Sequence, residues 1–294
     1  FDGDGDSDLL ALNALDEELT IYSSDGSGGY QAGETLSLKE EQIPDIYDRY
    51  NAVRYQSLAV GRINDDQRMD AFVRARQAVL VAIANGSSFQ VTQEIELEGY
   101  TRFVMGSDVD GDGDLDLLVS IRTTLGGERL FVYRNDQGTL SLSQAISTDL
   151  ELDGNDAEQA VLKDWNGDGI LDLGVLVFDG SIQRYTGNGD ATFTRIEDIQ
   201  AFPLGEILAF DIPDLDGDGN VEWIGLLRDQ KGLSLVVVCC EGIFDSATFT
   251  ITNDAPTGEQ YVLRCIDVDS DGDLDVLFTR SFHDDLVWMV SGVK

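Results

Sequence analysis

Asp108 to Val119 reads DVDGDGDLDLLV, an acidic loop that runs straight into an apolar strand. Asp108, Asp110, Asp112 and Asp116 place oxygen-bearing side chains at positions one, three, five and nine of that loop. Gly111 and Gly113 between them let the backbone curl tightly enough for those side chains to converge. Carboxylates gathered so closely repel one another unless a cation lies among them. A hard dication that takes only oxygen ligands suits the set, and calcium is the expected ion.

The loop recurs along the chain. Asp164, Asn166, Asp168 and Asp172 repeat the spacing, as do Asp214, Asp216, Asp218 and Glu222, and then Asp267, Asp269, Asp271 and Asp275. The chain opens inside another copy, where Asp2, Asp4 and Asp8 fill positions three, five and nine and the first ligand is expected to precede Phe1. A sixth copy, Arg62 to Asp70, keeps the frame but has lost its first carboxylate and its glycines. Four to five calcium ions are therefore expected, and none in the Arg62–Asp70 loop, where Arg62 is expected to replace the ion by pairing with Asp66 or Asp70. Position nine falls at residues 8, 70, 116, 172, 222 and 275, a period near 50 residues that marks a repeat architecture.

Each loop is followed by an apolar strand, a turn, a second strand, a hairpin and a third strand, and one more strand precedes the loop. The hairpin of the second copy carries Asn85-Gly86, a strong signal between two apolar strands. Four antiparallel strands per unit, apolar on both faces, describe the blade of a β-propeller. An EF-hand needs helices beside the loop and a Glu at position twelve, where this chain has Val119, Val175 and Phe278. The expectation is an all-β chain forming one domain over 1–294, with six repeats visible and an insertion at 39–55. Strand counting leaves six or seven blades open, because the first repeat lacks its leading strand and the sixth its last.

A net charge of −37 makes nucleic acid and anionic membranes poor partners, and even five dications leave the chain strongly acidic. No run of 18 apolar residues exists to span a membrane. Three cysteines, Cys239, Cys240 and Cys265, are too few for a disulfide framework and are read as small buried hydrophobes, with a Cys240–Cys265 bridge as the alternative. His283 is the only histidine, which excludes His-rich zinc sites and a convincing Ser-His-Asp triad. Trp165 and Trp223 stand where other copies have aliphatic residues, so they are expected in the core.

The motifs DVDGDGDLDLLV, DWNGDGILDLGV, DLDGDGNVEWIG and DVDSDGDLDVLF, with the partial DGDGDSDLLAL, resemble the FG-GAP/VCBS repeat family, which includes integrin α-subunit heads and many bacterial surface proteins. The resemblance implies calcium loops at one face of a disc-shaped propeller and second-strand loops at the other. Arg74, Arg76, Arg122, Arg228 and Arg280 fall in or beside those second-strand loops, and the insertion adds Tyr47, Arg49 and Tyr50. A very acidic protein thus gathers cations and tyrosines on the face opposite its calcium loops, and Arg and Tyr are favoured at interface centres. The expected function is an extracellular or cell-surface binding, adhesion or assembly module with a protein or glycan ligand, and no catalytic residues. A calcium-dependent enzyme of the polysaccharide lyase kind, using Tyr or Arg, is the alternative; a structural subunit of a larger assembly is a third.

Overall fold

The computed structural model of the protein describes residues 1, 4–6, 8–13, 18–37, 58–66, 68–75, 77–86, 88–123, 128–147, 157–177, 181–196, 206–215, 219–229, 232–238, 246–252, 261–267, 274–280 and 288–290. These form strands, turns and loops. Among the described residues there is no helix, and so none long and apolar enough to cross a membrane. The strands build six antiparallel sheets, each a meander in chain order. Sequential strands paired in this way need only short hairpin connections.

The sheets distribute over two compact units, the first Phe1–Asp156 with Asn188–Thr192, the second Ala157–Gly187 with Phe193–Lys294. In the first, β1 (Leu9–Asn13), β2 (Glu18–Ser24) and β3 (Tyr30–Ser37) make a three-stranded sheet. Two four-stranded sheets follow: β4 (Leu58–Gly61), β5 (Asp70–Arg74), β6 (Ala78–Ala84) and β7 (Phe89–Glu96), then β8 (Gly99–Ser107), β9 (Asp116–Thr123), β10 (Glu128–Asp136) and β11 (Thr139–Ser147). The second unit holds β12 (Ala157–Lys163), β13 (Asp172–Val177), β14 (Ile182–Gly187) and β15 (Phe193–Arg195), then β16 (Glu206–Asp211), β17 (Trp223–Asp229), β18 (Gly232–Val238) and β19 (Ser246–Thr252). Its last sheet is β20 (Tyr261–Ile266), β21 (Asp275–Arg280) and β22 (Trp288–Val290). Each acidic loop sits between the first two strands of its sheet, and in the opening copy just before β1, as the repeat spacing predicts.

Packing follows from strand alternation. On β6, Val79 and Val81 join a core with Phe72 of β5 and with Val104, Leu117, Val119 and Ile121 of the neighbouring sheet. Ala78, Leu80 and Ala82, the residues between, join another with Leu19 and Ile21 of β2. Successive side chains of a strand point to opposite faces, so the sheet β4–β7 is buried on both. Each fully buried aliphatic side chain contributes about 1.5–3 kcal/mol relative to exposure. The second unit repeats the scheme, with Val161, Leu176, Ile207 and Phe210 in one core and Leu226, Leu235, Leu263 and Val276 in the next.

Polar side chains tie neighbouring first strands together. Gln159 of β12 donates to the Phe210 carbonyl at 2.9 Å and accepts the Phe210 amide at 3.0 Å. Asp211 accepts the Cys265 amide at 2.8 Å. Cys265 is a free thiol, half-buried, with burial pushing its pKa up; the alternative Cys240–Cys265 bridge is not formed. Cys239 and Cys240 lie outside the described residues. Trp165 and Trp223 pack on the Val161–Phe210 core with ring centres 5.4 Å apart, in keeping with their expected core role.

Candidate metal centre

The ninth residue is a backbone clamp in the first five loops. Asp116 is buried, with Oδ2 accepting the Val109 amide at 2.9 Å and Oδ1 the Asn135 amide at 2.7 Å. Asp172 accepts Trp165 at 3.2 Å and Gly187 at 3.0 Å in the same way. Asp70 does so with Ile63 at 3.1 Å and Ala84 at 2.8 Å. Asp8 accepts Ser24 at 2.9 Å and the Phe1 amino group at 2.6 Å, and Glu222 accepts Leu215 at 2.7 Å. In the copies of Asp8, Asp70, Asp116 and Asp172 one carboxylate thus joins the second loop position to the end of the second strand of the hairpin, across 14 to 19 residues. Repeat spacing alone assigns position nine as a ligand; this second duty shows only in the fold.

The first residue shapes the loop. Asp108 accepts the amides of Gly111 at 2.8 Å and Gly113 at 3.0 Å, and Asp164 accepts those of Gly167 and Gly169, each at 2.8 Å. Gly111 and Gly113 hold φ at 78° and 95°, which a side chain resists, so glycine is required at both. With this curl the carboxylate oxygens of Asp108, Asp110 and Asp116 come within 4.8 Å of one another. Asp112, expected as a fourth ligand, falls outside that group, and its Oδ2 lies 3.4 Å from the Arg134 guanidinium.

Burial pushes the pKa of Asp116 up to about 6 despite its two amide donors. Burial also raises Asp70, Asp172 and Asp110, the last with a push from Asp112 and a counter-pull from Arg134. Crowded, partly dehydrated carboxylates of this kind gain from a cation. In the fifth copy Asp214 turns Oδ2 to the Gly219 amide at 3.1 Å and leaves Oδ1 buried with no hydrogen-bond partner. An all-oxygen set with an orphaned buried carboxylate oxygen fits a hard dication, which would supply charge compensation and cross-link the loop.

The degenerate copy is held otherwise. Arg68, not Arg62, stands beside Asp66, at 3.8 Å, and Asp70 is occupied by amides. The Arg62 carbonyl accepts the Leu115 amide at 2.6 Å and the Ile63 carbonyl accepts Asn135 Nδ2 at 2.8 Å. Protein donors from the next repeat steady this loop.

Residues 108–175 and 164–224 both match the family model described as FG-GAP-like repeat. This part of the chain is similar to FG-GAP-like repeats. No curated protein sequence matches the chain. Among solved structures, BBS1N in complex with ARL6DN, soaked with mercury, is similar at a TM-score of 0.59 and 10% identity, over 94% of this chain and 70% of that one. The lead-soaked crystal of the same complex gives 0.53 and 13%, over 94% and 85%. A candidate 6-phosphogluconolactonase from Bacteroides uniformis gives 0.51 and 13%, over 79% and 64%. At such identities the likeness shows the fold alone, and those neighbours have β-propeller-like folds.

The loops expected to carry ligands are thus placed in part. Asp2, Asp216, Asp218, Asp269 and Asp271 lie outside the described residues, as do Tyr47, Arg49, Tyr50, Arg76 and His283. Asp4 accepts the Asp6 amide at 2.9 Å, as Asn166 accepts Asp168 and Asp168 accepts Ile170. Asp267 follows β20, and Asp275 opens β21 and is buried. Of the cations expected on a ligand face, Arg122, Arg228 and Arg280 stand at the ends of β9, β17 and β21 remote from the acidic loops. Arg74 departs from that expectation. It is 6% exposed, and its Nη1 donates to the carbonyls of Thr101 at 2.7 Å and Arg102 at 3.0 Å, so it joins two sheets.

Proposed function

We propose that this chain is a calcium-stabilised β-propeller, secreted or displayed at a cell surface, that serves as a binding, adhesion or assembly module. The observation that carries the calcium part is the convergence of Asp108, Asp110 and Asp116 within 4.8 Å in a loop whose hydrogen bonds recur around Asp164 and Asp172. Four to five ions, with none at Arg62–Asp70, compensate part of the −37 charge and fasten adjacent strands of each blade.

The binding part rests on separation of charge. A strand of six to eight residues spans roughly 20–27 Å, so Arg122, Arg228 and Arg280 stand far from the acidic loops of their own strands. An acidic protein surface is the ligand chemistry they suit. The BBS1N neighbours were crystallised with a protein, ARL6DN, which favours a protein partner over a glycan.

Thermal unfolding in millimolar calcium and in excess chelator tests the first part: equal midpoints would remove it. Capture of partners by wild type and by the Arg122→Glu/Arg228→Glu variant tests the second. Loss of a calcium-dependent partner in the variant supports it, and unchanged capture overturns it. Appearance of unsaturated sugar ends from an acidic polysaccharide would instead assign a lyase.

A further inference from the structure

We propose that Arg134 is a built-in counter-cation that sets how tightly the Asp108–Asp116 loop holds its dication, an inference that rests on the calcium proposal above. Arg134 stands on β10, one residue before Asn135, whose amide is fixed to Asp116. Its Nε lies 2.7 Å from Asp110 Oδ2, and its Nη2 lies 3.4 Å from Asp112 Oδ2. The Asp110 side chain is only 4% exposed beneath it, while that of Arg134 is 46% exposed and is free to swing aside without opening a core.

Asp110 is one of the three carboxylates that converge. A guanidinium and a dication therefore compete for the same anion. Two cations a few ångströms apart also repel, so the docked arginine weakens the field available to the ion. Among the described clamps the feature belongs to this loop. In the first, second and fourth copies, the residue before the clamped amide is Ser23, Ile83 or Thr186, none of them cationic. This loop, like Asp267–Asp275, carries Asp at positions one, three, five, seven and nine, where the fourth copy has Asn166 and Ile170 at three and seven. Arg134 thus balances the loop without metal, and ion binding releases it toward solvent.

A calcium titration of the full chain by nitrogen-15 NMR tests this at two amides. Gly113 and Gly169 each donate to the first Asp of their own loop, at 3.0 and 2.8 Å, and report the two sites separately. Arg134→Met is expected to lower the midpoint at Gly113 by about tenfold or more and to leave Gly169 unchanged. Arg134→Lys, which keeps the charge, is expected to stay near wild type. An unchanged or raised midpoint at Gly113, equal shifts at both glycines, or a Lys variant that behaves like Met would each overturn the proposal. A wild type in which neither glycine responds removes the calcium proposal itself. A response at Gly169 with Gly113 silent in every variant removes only the role of Arg134.

Discussion

The side-chain amide of Asn135 donates to the carbonyl oxygen of Ile63 at 2.8 Å, joining two residues 72 positions apart, both fully buried. The same side chain accepts the Gly138 amide at 2.9 Å and so shapes its own hairpin. A loop that lost its first carboxylate is thereby held by its neighbour. Asn135→Ala leaves a buried carbonyl unsatisfied and should lower unfolding stability by about 1–3 kcal/mol. Urea denaturation with and without calcium checks it; the loss should be the same in both, since the Ile63 loop is expected to hold no ion.

Asp70 and Asp116 share the clamp but differ in company. Asp70→Ala strands the Ile63 and Ala84 amides and is expected to cost about 2–5 kcal/mol whether or not calcium is present. Asp116→Ala should cost a similar amount in chelator and, in addition, abolish stabilisation by calcium at its own loop. Denaturation midpoints of both variants in calcium and in chelator separate the two effects.

Metal-free protein should lose stability as pH rises. Asp116 holds its proton up to about 6 when folded, against about 4 for an unfolded aspartate. Between those values the folded state binds more protons, so stability falls as pH climbs through 6, by up to about 3 kcal/mol from this one group. Burial raises Asp70 and Asp172 too, so they push the same way. Calcium reverses the trend, because protons compete with the ion for the same oxygens. Melting temperatures at pH 5 and 7 in chelator, and again in calcium, check both signs.

Arg74→Met should act on stability and not on partner capture. Its guanidinium bridges to the Thr101 and Arg102 carbonyls from a buried position, and charge-assisted hydrogen bonds of this kind contribute about 1.5–3 kcal/mol each. Denaturation of the variant should show a loss in that range, while partner capture by the fraction that remains folded stays at the wild-type level.

How much of this was legible beforehand follows from the range of the interactions. The acidic loops, with positive-φ glycines at positions four and six of the third and fourth copies, and the strands that flank them are encoded within a dozen residues in a frame that repeats six times, so the sequence by itself determined all-β repeats with loops whose chemistry suits a cation. It placed Trp165 and Trp223 in the core by comparison of copies, and it located Arg122, Arg228 and Arg280 at the ends of their strands. What only the tertiary structure decided lies across strands and between sheets: Arg68 rather than Arg62 beside Asp66, the burial of Arg74, the Asn135–Ile63 bond, and Arg134 drawn over Asp110 from 24 residues away. Those contacts depend on strand register and on which face each side chain presents, and neither is written in the local pattern that announces the repeat.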